Sequence, residues 1–185
     1  MKTLKTLLAA IVFVGFTTSA MANDQDDATI GAAAEIFRVL TIDDEEDLDF
    51  GVIFIGEIAT LNPQDNTRNN VGELDTDESF GLFSIAGNPN ASFSVTLPGT
   101  TTLNGPGEGN TITVALADYY GYADAGGDTY DANNVSQVQT GNSRELNSNG
   151  EGWIWVGGQI DLSETTPENG EYTGDIQVTV DYDDV

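Results

Sequence analysis

Apolar side chains recur at every second position through most of this chain, and seldom at the spacing of an amphipathic helix. The clearest run is C-terminal: Tyr172, Gly174, Ile176, Val178, Val180 and Tyr182 alternate with Thr173, Asp175, Gln177, Thr179 and Asp181. One apolar and one polar face is what a half-buried antiparallel strand requires. Trp153 to Leu162 reads as another strand, with Asn169-Gly170 as the turn between the two. Upstream, Phe80 to Ile85, Ala91 to Leu97 and Asn110 to Leu116 predict strands. Gly87-Asn88-Pro89 and Asn104-Gly105-Pro106-Gly107 separate them as turns. Ile30 to Ile42 and Leu48 to Ile58 supply two more, although Ala32 to Val39 also suits a short helix. Asp118 to Gly152 is long, polar and rich in Asn, Asp, Gly and Tyr, with one extra strand at Val135 to Gln139. The expectation is an all-β antiparallel sandwich of about 7–10 strands with one long loop insertion.

The N-terminus departs from this pattern. Lys2 and Lys5 precede an apolar run from Leu7 to Phe16, and Ala20-Met21-Ala22 supplies small residues for signal peptidase. The run is shorter than the roughly 20 residues of a spanning helix. Residues 1–22 are therefore expected to be a cleaved signal peptide, with residues 23–185 forming one sandwich domain. Export through the Sec pathway implies an extracellular, cell-surface or periplasmic location, with no membrane insertion after cleavage. Without cysteine, a lipid anchor is ruled out and no disulfide supports the fold.

Charge narrows the partners. Both lysines leave with the signal, so Arg38, Arg68 and Arg144 remain against 31 acidic residues. Phosphate backbones need clustered Lys or Arg, so nucleic acid is excluded as a partner. Such acidity favours solubility and mutual repulsion. The chain also has no histidine, which removes imidazole bases, Ser-His-Asp and Cys-His mechanisms, and ordinary zinc sites. Carboxylate pairs survive as catalytic groups, but no motif singles one out. The expectation is that the protein is not an enzyme and needs no cofactor, Ca2+ being the one candidate ion.

Three segments carry a resemblance. Leu48-Asp49-Phe50-Gly51 is followed by Ile53. Phe83-Ser84-Ile85-Ala86-Gly87-Asn88-Pro89 leads into Phe93-Ser94-Val95-Thr96-Leu97-Pro98. The third set is Leu146-Asn147-Ser148-Asn149-Gly150, Val156-Gly157-Gly158, Gly170-Glu171-Tyr172-Thr173-Gly174 and Val178-Thr179-Val180-Asp181-Tyr182. In this order they resemble the exported bacterial family named domain of unknown function 4402. The resemblance implies an Ig-like sandwich and a surface or fimbria-like role, with no common activity.

Three candidate sites follow. Asp43, Asp44, Glu45 and Asp47, within an acidic run between two strands, are candidate Ca2+ ligands or a solvated turn. Tyr119, Tyr120, Tyr122 and Tyr130 are candidate glycan contacts in the long loop, or a cover over the core. Ile30, Ala32, Ala34 and Ile36 alternate as a candidate donor strand for β-strand addition to another subunit, or as the domain's own first strand. The expected function is a secreted structural or adhesive protein, a fimbria-like subunit pairing with itself or with related surface subunits. The alternative is a stand-alone glycan- or calcium-binding module, with an acid-base hydrolase as a distant third.

Overall fold

The computed structural model describes residues 31, 34, 36, 38–69, 78–127 and 129–183. The chain divides into two units, Met1–Glu35 and Ile36–Val185, and the fold below is that of the second. The expected signal peptide lies outside the described residues. Thirteen strands and no helix occur among the described residues, in three antiparallel sheets.

The first sheet contains β1 (Thr41–Glu46), β4 (Gly81–Ala86), β8 (Tyr120–Ala123), β9 (Ser136–Gln137) and β11 (Glu151–Val156), in the order β1-β4-β11-β8-β9. The second contains β2 (Ile58–Asn62), β3 (Thr67–Asn69), β6 (Thr100–Asn104), β7 (Thr111–Ala115) and β12 (Gly158–Asp161), in the order β3-β2-β12-β7-β6. The third is β10 (Ser143–Glu145), β5 (Ser92–Thr96) and β13 (Thr179–Tyr182), in the order β10-β5-β13. The expected sandwich is thus present, and its second layer is split where the chain bends at Leu97-Pro98-Gly99 between β5 and β6. Proline cannot donate a ladder hydrogen bond, so it ends β5 there.

Alternation drives the packing. In β2 and β5 every second residue is buried, with Ala59, Leu61, Phe93 and Val95 turned inward. The Phe93 ring meets the Tyr122 ring edge-on at 5.7 Å, joining the first and third sheets through the core. The expected Trp153 to Leu162 strand is broken at Gly157 into β11 and β12, each in a different sheet. A side chain on Gly157 would collide with the Leu61 carbonyl, so only glycine permits this crossing.

The Leu48 to Ile58 stretch is largely irregular, not the expected strand. Asp49 makes a two-way backbone bridge with Ser79 (3.0 and 2.9 Å), and its Oδ1 accepts the Gly51 N–H at 2.7 Å. Gly51 takes a φ of 65°, which closes this Asx turn at no steric cost and sends the Phe50 ring into the core. The Leu-Asp-Phe-Gly signature is therefore a turn that plants one aromatic.

The long Asp118 to Gly152 stretch contains β8, β9 and β10, and its residues 129–135 cover the outer face of the first sheet. Tyr130 packs on Phe80 (4.9 Å) and edge-on to Trp155 (5.2 Å), while Val135 sits over Gly121, where any side chain would clash. With Tyr120 and Tyr122 turned into the core on the other face, all four residues of β8 are buried.

Candidate functional site

Of the candidate donor strand, Ile30 and Ala32 lie outside the described residues. Ala34 and Ile36 are exposed and lie in no strand, and β1 begins only at Thr41. Ile36 is 91% exposed and Val39 80%. Between them Arg38 is held, its N–H donating to Asn88 Oδ1 (2.8 Å) and its carbonyl accepting from the Tyr182 hydroxyl (3.1 Å). The chain is therefore fixed just before β1 while the side chains of Ile36 and Val39 stay in water.

The acidic run is a strand, not a turn: Asp43, Asp44 and Glu45 belong to β1, and Asp47 follows it. Successive side chains of an extended strand point to opposite faces, so Asp44 is divided from Asp43 and Glu45. Glu45 Oε1 is engaged by the Ser84 hydroxyl at 2.6 Å. Among the described residues no group of three or more acidic side chains converges as a metal site would require.

The four tyrosines do not share a surface. Tyr120 and Tyr122 lie in the core, their hydroxyls donating to the carbonyls of Pro98 (3.0 Å) and Glu145 (2.7 Å). Tyr130 donates to the Pro63 carbonyl at 2.6 Å with its ring against Phe80 and Trp155. Burial raises the pKa of all three phenols, strongly for Tyr120 and Tyr122. Tyr119 is half-buried, and burial together with the neighbouring Asp118 raises its pKa. Buried rings offer no face to a sugar, which corrects the expected tyrosine platform for Tyr120 and Tyr122.

Two surface features were not foreseen. Val52, Phe54, Ile55 and Ile58 form an apolar stretch, each 39–46% exposed, on the loop entering β2. The second is the free edge formed by the C-terminal strand. Thr173 bridges Asn104 of β6 (2.7 and 3.0 Å), and β13 pairs with β5 from Thr179. Both contacts are antiparallel, so residues 173–182 follow the bent β5–β6 segment as one strand. Residues 175–182 alternate in burial along the way, as the period-two pattern predicts, whereas Gly174 is exposed.

Among curated proteins, none matches this chain. The family model described as a domain of unknown function, DUF4402, matches residues 40–182, from just before β1 to the end of β13. The matched span covers most of the sequence and contains every described strand, and the chain belongs to the DUF4402 family.

Proposed function

We propose that this protein is an exported, non-catalytic structural subunit of the cell surface that assembles into fimbria-like filaments by β-strand addition. The supporting observation is the segment ahead of the family domain, which starts at residue 40. There Ile36 and Val39 hold their side chains almost fully in water. Burying one such side chain releases about 1.5–3 kcal/mol. Ile36 also ends an alternating series with Ile30, Ala32 and Ala34. An added strand gains affinity from main-chain hydrogen bonds and selectivity from alternate side chains. The partner is another copy or a related surface subunit. Export follows from reading 1–22 as a cleaved signal. A glycan- or calcium-binding module draws less support, because Tyr120 and Tyr122 are buried in the core and Asp44 is divided from Asp43 and Glu45.

Electron microscopy of the purified mature protein tests this, beside a variant lacking Asn23 to Ile36. Filaments are expected from the first and dispersed monomers from the second. Equal assembly by both would sink strand donation, and an absence of filaments from both would sink the structural role.

A further inference from the structure

The C-terminal strand is held at two places and left open between them. From the bridge at Thr173 to the start of β13 at Thr179, one hydrogen bond to the backbone occurs among the described residues. It runs from the Thr101 hydroxyl to the Asp175 carbonyl at 2.7 Å. The reason is geometric. The β5–β6 segment bends at Leu97-Pro98-Gly99, opposite this stretch, and its amides serve elsewhere: Leu97 N–H donates to Thr140 Oγ1 (2.9 Å), and the Gly99 carbonyl accepts from Leu116 (2.9 Å) and Ala117 (3.1 Å). On that side the bend leaves Gln177 without a backbone partner, while the N–H and C=O groups of Gly174, Ile176 and Val178 point to the opposite side, the outer edge of the sheet, and meet no protein partner among the described residues. An unpaired extended backbone is a template for another strand.

We infer that Gly174 to Val178 is the acceptor edge, and that its occupant is the Ile30 to Ile36 segment of a second copy. This rests on the assembly reading above and names the site at which it occurs. Ile176, Val178 and Val180 are half-buried and pack against the core from one side. Apolar side chains of an added strand would complete their burial. Gly174 to Val178 carries one charge, Asp175, and residues 28–37 carry one, Glu35. In a chain with 31 acidic residues, these are two stretches whose pairing brings few carboxylates together. Seven residues extend roughly 23 Å at about 3.3 Å each, enough to cover the five-residue gap with a residue to spare at either end. The neighbouring edge, β1, is a poor rival because four consecutive carboxylates line it. The occupant comes from a second copy because the chain's own Arg38 is fixed beside Tyr182 while Ile36, two residues earlier, is bare.

The test is hydrogen–deuterium exchange of the dilute mature protein with and without a synthetic peptide of residues 28–39. Only peptide-free protein exchanges, so the outward-pointing amides of Ile176 and Val178 should slow about a hundredfold when the peptide stands at 100 times its Kd. A peptide with Ile36→Asp should protect far less. Protection at β1 or another edge, or at none, overturns the proposal. So does protection that needs no peptide and disappears on deleting Asn23 to Ile36, since the chain's own segment would then be the occupant. Filaments under the microscope with the peptide bound elsewhere would leave assembly standing and remove this edge. Protection here without filaments would do the reverse.

Discussion

On one flank of the sandwich two edge strands lie side by side, β1 of the first layer and the C-terminal strand of the second. Their chemistry is opposite. β1 pairs with β4 along its length, with one irregularity between Asp44 and Glu46, and carries Asp43, Asp44, Glu45 and Glu46 in sequence. The C-terminal strand carries no charge from Ile176 to Val180 and leaves its ladder where β5 turns into β6. Sheet edges aggregate unless charge, proline or a covering element prevents it. One edge here has that protection and the adjoining one does not, as expected when one edge is to remain free and the other to receive a strand.

Tyr182 ties the two edges together, and removing its hydroxyl is the larger perturbation. That oxygen accepts the Asn88 N–H at 2.7 Å and donates to the Arg38 carbonyl just ahead of β1. Tyr182→Phe should cost about 1–3 kcal/mol, because a partly buried N–H loses its acceptor. Urea unfolding should show a lower midpoint with an unchanged slope. An unaltered midpoint would mean that the edges are not joined there.

A smaller effect on stability, with a larger one on solution behaviour, is expected from removing the charge on β1. Asp43→Thr combined with Asp44→Thr should change stability by no more than about 0.5 kcal/mol, as exposed substitutions usually do. Sedimentation should nevertheless reveal concentration-dependent association through β1. A double variant that sediments like the parent would show that those carboxylates do not guard the edge.

Much of this contrast was legible in the sequence, though unevenly. Alternation from Tyr172 to Tyr182 predicted which side chains turn inward, because direction depends only on local extension. It did not predict where the ladder lapses, which is set by the bend at Pro98, remote in sequence. Asp43 to Asp47 read as a turn by composition. An edge strand, however, leaves both faces near water, so consecutive carboxylates are tolerated once β4 supplies the partner. Tyr120 and Tyr122 were masked by the polar residues around them. Their spacing about Gly121 is itself a strand signal, and the glycine marks where Val135 closes over the sheet. Gly157-Gly158 hid a crossing between sheets, because a close approach to Leu61 is a tertiary fact. Of the donor strand, alternation was visible, and the structure adds that Ile36 is bare.

Hydrogen exchange of the mature protein alone, kept dilute, tests the open edge most directly. Amides at Ile176, Gln177 and Val178 should exchange near the rate of unstructured peptide, while those that β13 pairs with β5 stay protected. Slow exchange throughout 174–182 would show that the edge is already closed and contradict its role as an acceptor.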